Sequence, residues 1–328
     1  MVDLSRLGAR SYGVWTRREA LARLRAGQVD GLVPHGQWQV LWSGVYTDAG
    51  STPSPEQRAA AAVLAVGGEP TQPSTTPALA SGRTAARVWG LPLIDDSDPT
   101  TGAQEHRLDD VAVDRRLPHQ HRVERTLLPR RTLPVAAGER VQLRSGLLLT
   151  SPLRTLVDCA QLLTSEALAC AVDDALHRRL VTTLDLQAAA ASRAAQPGVR
   201  ALRRAAALAD GRAESPAETL ARLLLRPVLP GLEPQVELFD RSARLIARFD
   251  LADRAVRLAV EADGVRGHAG RVMVAKDRRR DRATGAYGWE TERVTWFELR
   301  REQREVVRRL VDRHAQLTAR TASQARSA

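Results

Sequence analysis

Three carboxylates crowd the stretch RFDLADRAVRLAVEADGVRGH, residues 248 to 268: Asp250, Glu261 and Asp263. Acids aimed at one point repel one another and call for a cation to relieve the repulsion. Side chains alternate across a strand, so Asp250 shares a face with Ile246 and Arg248, and Glu261 shares one with Asp263. If the two segments are antiparallel neighbours joined by the turn around ADRA, the three acids converge. Hard oxygen ligands of this kind suit Mg²⁺ or Mn²⁺. Such an ion can hold a phosphodiester oxygen, acidify a bound water and stabilise developing charge.

Other residues could join that chemistry. His268 lies five positions past Asp263 and titrates near neutrality, as a general acid or base must. Lys276, the single lysine of the chain, and Arg278 could neutralise a phosphorus under attack. Each also has a plainer reading. ADG is a turn signal in its own right, His268 can be a loop histidine, and KDRRRDR can be a solvated, ion-paired helix face. Glu218 follows Ser215 by three residues with Pro216 between, the spacing of a helix capping box, although a capping carboxylate can face a site as well.

These residues are held by ESPAETLARLLLRPVLPG, a capped helix, followed by the strand-like QVELFD, RLIARFD and VRLAVEADG. A helix-like VAKDRRRDRATGAYG, a weak strand WETERVTWFEL and the amphipathic REQREVVRRLVDRHAQL complete an α/β unit, the last with Val306, Val307, Leu310 and Val311 on one face. Upstream, Thr16 and Glu19 have capping-box spacing before a short helix. QVDGLVPHG is a poor second helix, broken by Gly31 and Pro34. Trp38, Val40, Trp42, Val45 and Tyr46 flank the turn signal Ser43-Gly44, which predicts a hairpin. Helix, helix, hairpin is the outline of a winged helix-turn-helix. Between the two ends, an Ala-rich helix precedes strand-like DDVAVDRR, HRVERTLL and ERVQLRSGLLLT. A helical run then begins at Ser151-Pro152 and carries Cys159 and Cys170.

SPAE, the FD of RFD, VEADG followed by His268, KDRRRD and GWETERVTW occur in an order and spacing that resemble a domain-of-unknown-function family related to very-short-patch-repair endonucleases, in the restriction-endonuclease-like superfamily. The resemblance covers Ser215 to about Leu317. It implies a mixed sheet flanked by helices and a metal-dependent nuclease site. Asp250 and Glu261 would be metal carboxylates, Glu218 the helix-borne acid, and Asp263 would stand where related nucleases often carry a lysine. GVWTRREALA, GQWQVLWSGVYTD, RTAARVWGLPL and LLTSPLRTLVDCA resemble AbiEi-type antitoxins of type IV toxin-antitoxin systems, over roughly residues 5 to 210. That likeness implies promoter DNA, and a cognate toxin or other protein, as partners.

The expected fold is multidomain α+β. A winged helix (1–50) precedes a mixed α/β middle domain (51–210), a restriction-endonuclease-like α/β domain with a central mixed sheet (211–318) and a disordered tail (319–328). With 328 residues and 43% hydrophobic content the chain can fill two or three cores. A net charge of +11 favours an acidic partner, with nucleic acid foremost. The positive charge is nevertheless spread along the chain, and residues 26 to 57 contain no lysine or arginine, so the winged helix lacks the cations on which groove readers depend. No apolar run is long enough to span a membrane and MVDLSRLGAR lacks a signal core, so the expected setting is the cytoplasm, with reduced cysteines.

Overall fold

The structure, a computed structural model, describes residues 8, 11–50, 52–71, 78–96, 109–113, 127–130, 135–264 and 279–327. The chain is mixed α/β and divides into two compact units. The first comprises Met1–Leu93, His106–Leu163 and Leu184–Arg203; the second comprises Ile94–Glu105, Thr164–Thr183 and Arg204–Ala328.

In the first unit, β1 (Val14–Thr16), α1 (Arg17–Leu21), α2 (Ala26–Leu32), β2 (Trp38–Trp42) and β3 (Val45–Asp48) follow one another. Thr16 and Glu19 form the predicted reciprocal cap, with the Thr16 N–H donating to Glu19 at 2.7 Å. The hairpin turns at Ser43-Gly44, and the sheet order is β1-β3-β2. Trp15 and Trp38 meet edge to face and Tyr46 lies tilted against Trp38, packed with Ala20 and Val29, whereas Trp42 joins a different core with α3 (Pro55–Ala65).

A five-stranded sheet follows, ordered β6-β5-β4-β8-β7, from β4 (Ala78–Ala80), β5 (Asp109–Val113), β6 (Leu127–Arg130), β7 (Arg140–Gln142) and β8 (Leu148–Thr150). Helices α4 (Gly82–Trp89) and α5 (Pro152–Cys159) carry the arginines of a buried ion network, with Ser151 capping α5 as its sequence predicts. Arg83 grips Asp110 through two bonds of 2.8 and 3.1 Å, Arg87 reaches Asp109, and Arg154 joins Asp158 to Glu139.

The helical run carrying both cysteines is two helices rather than one. It breaks after Cys159, and Thr164 caps α6 (Ser165–His177) through the Ala167 N–H. Both thiols are free and buried. Helix α7 (Thr183–Ser192) follows, and α8 (Val199–Leu208) crosses the boundary between the units.

The second unit is built on α9 (Pro216–Leu225), β9 (Glu233–Phe239), β10 (Leu245–Asp253), β11 (Leu258–Asp263), the helical residues 279–285 as α10, β12 (Glu290–Thr295), α11 (Trp296–Arg301) and α12 (Gln303–Ser327). The sheet order is β12-β11-β10-β9. β10 is antiparallel to β9 and β11, and β12 is parallel to β11. Helix α9 packs on β10 and β11 and meets α6, α11 and α12. Where α9 meets α6, buried Asp173 accepts bonds from Arg222 at 2.6 Å, Thr219 at 2.9 Å and the Asp210 N–H at 2.7 Å.

Three sequence expectations change here. β10 does not end at Asp250 but runs three residues further, because Leu251 and Ala252 are apolar and find partners on both sides. β12 stops at Thr295, where the side chain caps Glu298 and starts α11, so WFEL is helix rather than strand. The tail stretch 319–327 continues α12, with Arg320 paired to Glu290 at 2.6 Å. On that helix Val306 and Leu310 are buried, but Val311 is exposed.

Candidate functional site

The two central strands of the second unit part company at the acids. Registered pairs between β10 and β11 end at Leu251–Val260. β10 stays registered with β9 back to Leu245, and β11 with β12 on to Asp263. Asp250 and Glu261 are the first residues past the fork, one on each branch. Asp250 Oδ2 accepts the Ala262 N–H at 2.8 Å and so ties the branches together.

Both acids are held largely away from water. Burial pushes Asp250 up to about 6, with the negative charges of Glu218 and Asp263 adding to it and the Ala262 N–H and Arg280 opposing. Burial likewise pushes Glu261 up to about 7, with Asp250 and Asp263 adding and Arg280 and Arg293 opposing. Arg280 of α10 donates to both Glu261 oxygens, at 2.9 and 3.2 Å, and to the Arg248 carbonyl. Its charge also lies 6.0 Å from the Phe249 ring centroid. Across the parallel pair Glu261 faces Arg293, whose guanidinium is held by Asp281 at 2.7 Å.

Glu218 contributes from α9. Ser215 caps the Glu218 N–H at 3.2 Å as its spacing predicts, but the reciprocal half of the box is absent. The Glu218 carboxylate instead accepts the Glu214 N–H at 2.9 Å and the Gln235 amide at 2.8 Å. Gln235 sits in β9 at φ 55°, a left-handed conformation that costs a non-glycine residue on the order of 1 kcal/mol. Its Oε1 is buried without a hydrogen-bond partner. Strain and an unmet polar atom mark Gln235 as a site residue that sequence reading missed, and no local signal in EPQVELF announces it.

Of the predicted residues, the fold brings together Asp250, Glu261 and Glu218, with Asp263 exposed two residues beyond Glu261. His268 and Lys276 lie outside the described residues. Among the described residues no group of three or more His, Cys, Asp or Glu side chains is placed to hold a metal ion. A pair does fit Mg²⁺, which keeps several waters and is commonly bound by one or two carboxylates together with phosphate oxygens. The raised proton affinity of both acids comes first from burial.

No family model matches the chain, and no solved structure does. The chain is similar to two uncharacterized proteins of Mycobacterium tuberculosis, MT2308 of strain CDC 1551 and Rv2248 of strain H37Rv. Each is 31% identical over 166 residues, which is 50% of this chain and 61% of the relative. The match thus spans less than two thirds of the curated relatives' length.

Proposed function

We propose that the second unit is a metal-dependent DNA endonuclease domain of restriction-endonuclease-like type, joined to an AbiEi antitoxin-like half. The observation that carries this reading is the fork of β10 and β11, with Asp250 and Glu261 one on each branch, tied by the Ala262 N–H and both raised in proton affinity by burial. The order α9, β9, β10, β11, α10, β12 and the mixed sheet support the expected nuclease core. The N-terminal succession of helices and hairpin supports the winged helix.

Asp250 and Glu261 would hold Mg²⁺ or Mn²⁺. When bound, the ion would supply Lewis-acid stabilisation of the phosphate and a more acidic water. Glu218, pinned by Gln235, adds negative charge beside Asp250 and so strengthens the pull on a cation. Basic exposed side chains on α10, Arg279 and Arg282, offer phosphate contacts next to the fork. DNA is the proposed substrate and the cytoplasm the proposed setting.

One observation favours a second reading, a DNA-binding regulator of antitoxin type with an inactive nuclease-like domain. Arg280 already fills Glu261, and a neutralised acid needs no metal. For the winged helix, α2 carries no cation, its Asp30 is paired with Arg17 at 2.7 Å, and Val40 is exposed on the hairpin. These features favour a protein partner there, such as a cognate toxin, over groove reading.

Incubation of the protein with single- and double-stranded DNA and Mg²⁺ or Mn²⁺ separates the readings. We expect cleavage that falls by about 100-fold or more in Asp250→Ala and Glu261→Ala, the scale at which removal of a transition-state charge contact is felt. Salt-sensitive binding without cleavage would favour the regulator. Cleavage unchanged in both variants would place the chemistry elsewhere.

A further inference from the structure

Arg280 is the group whose placement the proposed chemistry does not by itself explain. Its guanidinium takes both oxygens of Glu261, the Arg248 carbonyl and the neighbourhood of the Phe249 ring, so its position is set by four features rather than by a chance surface encounter. The side chain is 35% exposed and Glu261 11%, so the contact lies at the mouth of the fork with a route to solvent on the arginine side. Asp250, the other acid, has the Ala262 N–H as its hydrogen-bond donor. Arg280 therefore hydrogen-bonds the buried Glu261, while the half-buried Asp250 is held by a backbone amide. A planar fork of donors that matches a carboxylate bidentately matches a phosphate in the same way.

We propose that Arg280 is an exchangeable counter-ion. It occupies Glu261 while the site is free, yields that carboxylate to the divalent ion, and then contacts the phosphodiester that the ion holds. This rests on the reading of Asp250 and Glu261 as metal ligands. Two consequences pull in opposite directions. Removing the guanidinium removes a competitor for Glu261, so metal affinity rises. It also removes a phosphate contact, so cleavage at saturating metal falls. A residue that merely braced the fold would weaken both.

Calorimetric titration of Mn²⁺ alone into the full-length protein, paired with cleavage rates at saturating Mn²⁺, tests this. Arg280→Gln is expected to bind Mn²⁺ at least about tenfold more tightly than the parent and to cleave at least about tenfold more slowly, by the loss of one charge-assisted contact on each side. Arg280→Lys, which keeps the charge but not the fork, should fall between the two, and it serves as the test should Arg280→Gln fold poorly. Unchanged or weaker Mn²⁺ binding in both variants, or undiminished cleavage, overturns the exchange. Glu261→Gln separates this from the underlying reading. If the parent binds Mn²⁺ and Glu261→Gln does not, the ligand assignment stands whatever Arg280 does. If Mn²⁺ binds none of these proteins, the assignment fails and the exchange with it.

Discussion

The acids of the first unit's buried network and those at the fork of the second are compensated differently. In the first, each acid of the buried network meets an arginine directly: Asp110 is gripped by Arg83, Asp109 by Arg87, Asp158 and Glu139 by Arg154, with Arg193 on Glu139 as well. Although burial works against its charge, Glu139 is held below the usual carboxylate range by the Ala136 N–H and by Arg154 and Arg193. At the fork of the second unit, Glu261 is paired with Arg280, Asp250 accepts the Ala262 N–H, and burial pushes both well above that range. Matched charges of the first kind lock helices to a sheet. Acids raised by burial make the chain less stable in its free form, and such sites persist where a ligand supplies charge.

Removing one partner of a matched pair should therefore cost most. Asp110→Ala leaves Arg83 buried and unpaired, and a loss of about 3–5 kcal/mol in urea unfolding is expected. A loss below about 1 kcal/mol would erase the contrast between the units.

The acids at the fork should respond with the opposite sign. A carboxylate whose affinity for protons is raised by folding adds stability below its ordinary value of 3.8 or 4.5, and that stability is lost as pH rises through about 6 to 7. Asp250→Asn keeps an oxygen for the Ala262 N–H and removes the charge. It should stabilise the protein by about 1–2 kcal/mol at pH 8 and leave it unchanged near pH 4, read from unfolding curves at the two values. Destabilisation at pH 8 would mean that the acid is adequately compensated after all. A smaller effect sharpens the role of α9: Ser215→Ala removes the cap of the helix that carries Glu218 and should cost about 1 kcal/mol in the same measurement.

How much of this was legible in the sequence follows from the range of the interactions. Caps and turns are local, so Thr16 with Glu19, Ser151 with Pro152 and the Ser43-Gly44 hairpin could be read directly from a few neighbouring residues. Strand alternation was enough to single out Asp250 and Glu261. It misjudged the end of β10, since FD reads as a stop only while the pairing of Leu251 and Ala252 is unknown. Glu218 is legible as a cap partner of Ser215 and as a candidate site acid, but the hold of Gln235, 17 residues away, on its carboxylate is not. Arg280 is 19 residues from Glu261, in a run of like residues where nothing distinguishes it from Arg279 or Arg282. The grip of Arg222 on Asp173, across 49 residues, was equally invisible.

Binding of a divalent ion by Asp250 and Glu261 is tested most directly by thermal melting at pH 8 with and without Mn²⁺. Mn²⁺ at about 100 times its dissociation constant should raise the melting temperature of the second unit by about 5–11 °C, and should leave the Asp250→Asn, Glu261→Gln double variant where it was. Equal shifts in both proteins, or none in the parent, would contradict the account.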